Sequence, residues 1–115
     1  MAKANNYANN TSLNNISLLS SSLSYNIGQI STHIYFNGSV TIKTYPTGGS
    51  SGSFIYATVY EVGAQYGGGV GSRSLSGTSN DSWTINHLYG YHYVRADSAD
   101  VVGENTVSGT YKIEY

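Results

Sequence analysis

The clearest pattern in the chain is the run Phe54-Ile55-Tyr56-Ala57-Thr58-Val59-Tyr60-Glu61-Val62. It is dominated by β-branched and aromatic residues, the types that suit a pleated surface, and glycine-rich segments close both of its ends. At period two, one face carries Phe54, Tyr56, Thr58, Tyr60 and Val62, and the other Ile55, Ala57, Val59 and Glu61. Both faces are apolar over most of their length. The run therefore predicts a central strand covered on both sides.

Shorter alternating segments surround it. Leu23, Tyr25 and Ile27 predict a strand ending near Gly28. Ile30–Phe36 and Ser39–Tyr45 flank Asn37-Gly38, a strong local signal for a hairpin. A two-residue loop there pairs Tyr35 with Val40, whereas a three-residue loop pairs Phe36 with Val40 and sorts apolar against apolar; a bulge would reconcile the two. Trp83–Leu88 and Tyr91–Ala96 also alternate, and Tyr89-Gly90 between them predicts either a tight turn or a bulge in one long strand. Val107, Tyr111, Ile113 and Tyr115 form one face of the last strand, opposite Thr106, Ser108, Thr110, Lys112 and Glu114, so one side should be buried and the other wet.

The connections are rich in turn formers. Pro46–Gly52 predicts a flexible loop. Gly63–Ser82 is the longest irregular stretch, with Val70, Arg73 and Leu75 as a candidate edge strand. Asp97–Asn105 predicts a turn-rich connection. Leu13, Ile16, Leu19 and Leu23 recur near helical spacing, but the intervening serines and asparagines are poor helix formers, so Ser12–Ser21 is either a short helix or an extended connector. Six to eight strands with no convincing helix predict an all-β fold, a small antiparallel β-sandwich of jelly-roll or Ig-like type. Residues 1–21 form an Asn/Ser-rich N-terminal arm or connector, and residues 22–115 the sandwich. An arm of this composition orders only when its own domain or a neighbouring chain holds it.

Composition narrows the function. There is no cysteine among the 115 residues, so no disulfide, thiolate metal site or cysteine nucleophile exists. Only 10% of residues are charged, against about 25% in an average domain, and the five Lys/Arg are scattered, which argues against nucleic acid. No apolar run approaches the ~20 residues of a membrane span, and the chain as given begins without the apolar segment of a secretory signal. Tyrosine, with 12 residues, is the outlier. Low charge with abundant hydroxyls, amides and tyrosine is a composition of extracellular structural proteins and sugar-binding sandwiches.

Candidate chemistry is sparse. His33, His87 and His92 are the available metal-binding imidazoles, but scattered histidines are the simpler reading. Asp97, Asp100 and Glu104 are calcium candidates; calcium takes about six to eight oxygens, the spacing matches no EF-hand loop, and turn-forming acids explain it more simply. No nucleophile elbow or patterned carboxylate pair appears, and Gly67–Gly71 lacks the lysine and helix of a phosphate loop. The chain reads as a non-enzyme with no cofactor. Tyr56, Tyr60, Tyr93 and Tyr111 alternate on strands and predict core or sheet-face packing. Trp83, His87, Tyr89 and Tyr91 are the candidate ligand platform.

The expected function is a self-assembling structural subunit of an extracellular or surface fibre or coat, on a cell, spore or virion. Its partners are copies of itself, joined through β-strands or through an arm anchored by Leu13, Ile16, Leu18 and Leu19. The alternative is a carbohydrate-binding lectin using loop aromatics with Asn and Asp.

Overall fold

The structure is a computed structural model, and it describes residues 21–64, 68–100 and 106–115. All regular secondary structure among them is strand: β1 (Ser22–Asn26), β2 (Ile34–Pro46), β3 (Ser53–Glu61), β4 (Gly69–Ser76), β5 (Asp81–Asp100) and β6 (Gly109–Glu114). The strands form one antiparallel sheet in the order β1-β6-β2-β5-β3-β4. The fold is the all-β antiparallel architecture that the alternation predicts.

The long strand β5 organises the sheet. From Asp81 to His92 it pairs with β2, and from His92 to Asp100 it pairs with β3 on its other edge. Residues 28–31 continue the β2 side: Gly28 N–H donates to Ala96 O and Ser31 N–H to Val94 O. One strand thus belongs to both halves of the sheet, and the two halves enclose one core. Phe36, Val40 and Ile42 on β2, Ile55, Ala57 and Val59 on β3, Val94 and Ala96 on β5, and Tyr111 and Ile113 on β6 have no exposed surface. The predicted inward face of the last strand is the observed one, with Val107 also buried.

A bulge accommodates the change of phase along β5. Gly38 faces Leu88 and Val40 faces Ile85, so Ser39 alone opposes Asn86 and His87. Trp83 and Ile85 point inward before the bulge, and Leu88, His92, Val94 and Ala96 after it, an odd-to-even switch that a regular strand cannot make. His87 takes the left-handed conformation (φ 64°), and the Ser39 hydroxyl donates to Asn86 Oδ1 at 2.7 Å.

Several expectations change. Asn37-Gly38 does not turn a hairpin: β2 runs straight through it, and the positive φ of Gly38 (126°) serves the irregularity opposite the bulge. Tyr89-Gly90 is not a tight turn: one long strand runs through it, but the bulge of that strand lies at Asn86-His87 rather than at Tyr89-Gly90. The central strand β3 is internal, between β5 and β4, but among the described residues it is covered on one side only. Ile55, Ala57 and Val59 are buried while Tyr56 is 43% exposed, because no further layer among the described residues lies over its aromatic face. Asp97–Asp100, predicted as part of a connection, is the end of β5, whereas the candidate edge strand around Val70, Arg73 and Leu75 is the observed β4. The helix-or-connector segment Ser12–Ser21 lies, except for Ser21, outside the described residues.

Candidate assembly edges and aromatic face

The two terminal strands leave main-chain groups open, and the hydrogen bonds around them fix which. At the end of β3, Glu61 N–H donates to Gly68 O, just before β4, at 2.8 Å, while the next residue, Val62, donates to Tyr91 O on β5. Odd residues of β3 therefore turn toward β4. In the observed register their partners are Gly71, Arg73 and Leu75, so Ser72, Ser74 and Ser76 turn their N–H and C=O groups outward. Ser76 N–H is capped by Asp81 Oδ2 at 2.9 Å. Ser72 and Ser74 have no main-chain partner among the described residues. Leu75, facing the core, anchors this strand, and Arg73 is its one charge.

The opposite end of the sheet repeats the arrangement. Ser21 and Tyr115 exchange N–H···O bonds of 3.1 and 3.0 Å, and Ile27 N–H donates to Gly109 O. Odd residues of β1 therefore pair with β6, and Ser22, Ser24 and Asn26 turn outward. A local turn takes up Asn26, whose N–H donates to Gln29 Oε1 at 2.8 Å and whose C=O accepts from Gln29 N–H. Ser22 and Ser24 remain, again without a main-chain partner among the described residues. Leu23 and Tyr25 pack this edge strand against the core. Natural sheets usually protect such edges with charge, proline or bulges. Here β1 has no charged residue, and β4 has Arg73 and one register shift near Val70.

The outer faces of the two halves differ in chemistry. The half built on β6, β2 and the first part of β5 is polar: Lys43 pairs with Glu114 at 3.2 Å, and the hydroxyls of Thr41 and Thr84 lie 2.9 Å apart. The outer surface turns aromatic where the two halves join and continues onto β3. Tyr35 and Tyr91, directly opposed on β2 and β5, meet edge to face with ring centroids 5.2 Å apart. Tyr60 stacks on Tyr93 at 4.8 Å, and His33 stacks on Tyr93 at 5.6 Å. Tyr35, Tyr89 and Tyr91 are 57%, 61% and 58% exposed. Each β-sheet face collects one parity of its strands, which is why Tyr35 of β2, Tyr60 of β3 and Tyr91 and Tyr93 of β5 gather on one side.

The predicted platform is only partly assembled. Tyr89 and Tyr91 share the aromatic face, and His87 is exposed at the bulge. Trp83 lies before the bulge, opposite the buried Ile42, and packs inward under Gly71, so it belongs to the other side of β5. Tyr35 joins the face instead, and no local pattern reveals it, since its partner is set by the pairing of distant strands. Of the strand tyrosines, Tyr111 is core, whereas Tyr56, Tyr60 and Tyr93 face outward.

The three histidines occupy three environments: His33 on the aromatic face, His87 on the bulge, and His92 buried against Phe36 with its Nδ1 2.9 Å from Gly90 O. Asp97 is held by Arg95, with Nε 2.8 Å from Oδ2. The Asp97 hydrogen bond and charge push the guanidinium pKa of Arg95 above its usual value. The other calcium candidates, the Asp100 side chain and Glu104, lie outside the described residues. Among the described residues no three His, Asp or Glu side chains converge as a metal site. The arm anchors Leu13, Ile16, Leu18 and Leu19 also lie outside the described residues. No helix among the described residues is long and apolar enough to cross a membrane.

No protein-family model matches the chain, and no curated protein matches it. Among solved structures, a chain of Bacillus endospore appendages, described as a family of disulfide-linked pili, superposes with a TM-score of 0.34 at 13% identity, over 89% of this chain and 97% of that one. A superposition this loose carries no function across. The present chain also has no cysteine from which to make such a link.

Proposed function

We propose that this protein is a self-assembling structural subunit of an extracellular or surface fibre or coat, joined through its sheet edges. The observation that carries the reading is the pair of edges, open among the described residues, at opposite ends of one sheet: Ser22 and Ser24 on β1, Ser72 and Ser74 on β4. The two edges differ in sequence and length, so pairing β1 of one copy with β4 of the next is head-to-tail. Such a contact need not close, and repeated it builds a continuous sheet along a filament. The low charge of the chain leaves little repulsion between successive copies.

Magnitude says that the edges do not act alone. A five-residue pairing forms about four main-chain hydrogen bonds, each worth about 0.5–1.5 kcal/mol net. The sum is a few kcal/mol, short of the ~8 kcal/mol that a micromolar contact requires. The N-terminal arm, with Leu13, Ile16, Leu18 and Leu19 as apolar anchors, is the second tether of this proposal. The carbohydrate alternative has less support, because Trp83 packs inward and the remaining aromatics lie on the face of the sheet.

The test uses proline where the lost N–H bonds nothing inside the subunit. Ser24→Pro disables β1, and Ser74→Pro disables β4. Each variant alone should remain folded and sediment as a monomer. Mixed, they should form dimers and nothing longer, since one intact β1 then meets one intact β4. Filaments from either variant, or dimers of Ser24→Pro alone, would refute head-to-tail edge pairing.

A further inference from the structure

The aromatic face carries a second kind of chemistry. We infer that Tyr35 and Tyr91 form an oxidative cross-linking site, which a haem peroxidase acting with hydrogen peroxide converts to an intrachain dityrosine between β2 and β5. The two residues are direct register partners, so their backbones cannot drift apart while the sheet is formed. Their rings already touch, edge to face, with centroids 5.2 Å apart. Both are more than half exposed, which opens them to an oxidant and leaves each ring free to turn toward coupling geometry.

The other tyrosine pairs lack one of these conditions. Tyr25 and Tyr111 stack at 5.6 Å, but Tyr111 has no exposed surface and its hydroxyl donates to Gln29 O at 2.6 Å. Tyr60 and Tyr93 are closer at 4.8 Å, but both are half-buried, and Tyr93 has His33 stacked on it as well. Tyr89 is exposed yet has no ring partner among the described residues.

The chemistry balances as follows. Each phenol gives one electron and one proton to the oxidant, leaving a phenoxyl radical whose spin reaches the ring carbons ortho to oxygen. One carbon–carbon bond forms between the two ortho carbons. The two ortho C–H bonds break, and their protons return through solvent to the two oxygens, restoring both phenols. The two electrons and two protons removed reduce one hydrogen peroxide to two waters, and the peroxidase haem returns to its resting state. In a chain without cysteine, this tie supplies the covalent cross-strand link that a disulfide supplies elsewhere, and it sits a few residues from the β5 bulge. A cross-link between residues far apart in sequence restricts the unfolded chain, so the product should unfold at a higher temperature. The inference does not depend on assembly, and an assembly-blocked subunit serves equally well.

The experiment treats dilute full-length Ser24→Pro protein with a haem peroxidase and limiting hydrogen peroxide, then follows dityrosine fluorescence and maps the linked tryptic peptides. The expected product is a single chain in which Ala4–Lys43 is joined to Ser74–Arg95 with loss of two hydrogens, the link falling at Tyr35 and Tyr91. Tyr35→Phe and Tyr91→Phe should each lower the early dityrosine yield at least fivefold, while Tyr89→Phe leaves it unchanged. The cross-linked product should show a raised thermal midpoint. An equal yield in Tyr35→Phe, links spread evenly over other tyrosines, or links mainly between isotopically distinct copies in a mixed sample would each overturn the assignment.

Discussion

Tyr111 offers a test of how the two halves of the sheet are held together. Its ring is fully buried and stacks on Tyr25, and its hydroxyl, carried by β6, reaches across the core. There it donates to Gln29 O at 2.6 Å and also lies 3.3 Å from Val94 O. Tyr111→Phe keeps the ring and removes only that link. Val94 O keeps Ser31 N–H at 2.9 Å, so the loss at neutral pH should be that of one good hydrogen bond, about 1–1.5 kcal/mol. Alkaline pH should close the gap. Burial first, with the Tyr25 and Asp97 charges adding to it, pushes the Tyr111 pKa above the ordinary phenol range. A raised folded pKa favours the neutral phenol in the fold. Its contribution is therefore complete below the unfolded value of about 10 and is lost as pH rises from there toward the folded value. The loss is about 1.4 kcal/mol per pH unit, so the parent gives up about that much by pH 11, whereas Tyr111→Phe has no such group. Urea unfolding at pH 8, 10 and 11 should show the variant weaker at the first two and level with the parent near the third. Parallel curves across the whole range would show that Tyr111 does not stay neutral in the fold, and the account of its burial would fail.

Three further outcomes follow from other features. Gly109→Ala should cost at least about 2–3 kcal/mol in urea unfolding, because φ is 128° and a Cβ would collide with the Tyr45 carbonyl oxygen; a loss below about 1 kcal/mol would contradict the packing of β6 on β2. His87→Gly should change stability by no more than about 1 kcal/mol, relief of left-handed strain offsetting added backbone freedom, while His87→Val should lose about 1–2 kcal/mol; the opposite ranking would deny the bulge. Deleting residues 2–19 should leave a folded subunit that no longer polymerises under conditions where the full chain does, and unchanged sedimentation and electron micrographs would remove the arm from the assembly.

Much of the fold is legible because one-sided burial writes itself into the sequence at period two. Val107, Tyr111 and Ile113 face the core as their alternation requires. The parity break between Ile85 and Leu88 passes for plain alternation along the chain, and only the pairing with β2 locates the bulge there. Asn37-Gly38 misleads for a physical reason. A glycine at positive φ serves a turn or a strand irregularity equally well, and only the pairing of β2 with the distant β5 decides between them. The outer face of β3 misleads for another. Tyrosine buries a ring while keeping its hydroxyl wet, so Tyr56 and Tyr60 look the same from sequence whether a layer covers them or not.

The surfaces proposed for function were less legible than the core, and their chemistry explains why. An open edge is a property of the main chain, which every residue shares. Ser22, Ser24, Ser72 and Ser74 are ordinary strand-end serines until the register shows which way their N–H groups point. The aromatic face depends on parity summed over two strands. Trp83 and Tyr91 look equivalent along the chain, yet the one extra residue at Asn86-His87 sends them to opposite sides of β5. The same residue leaves Tyr91 opposite Tyr35 on the outside and His92 opposite Ile34 on the inside. That single irregularity thus sets both the core and the tyrosine pair. In His87→Gly, the peroxidase link between Tyr35 and Tyr91 should form as in the parent, because the left-handed backbone is kept. In a variant lacking His87 altogether, the ladder becomes regular and the bend changes, while Tyr35 still faces Tyr91. If the link survives the deletion but the thermal midpoint falls, the bulge acts on the joint between the halves; if the link is lost while the midpoint holds, the register through Gly38 is not the one that places the tyrosines.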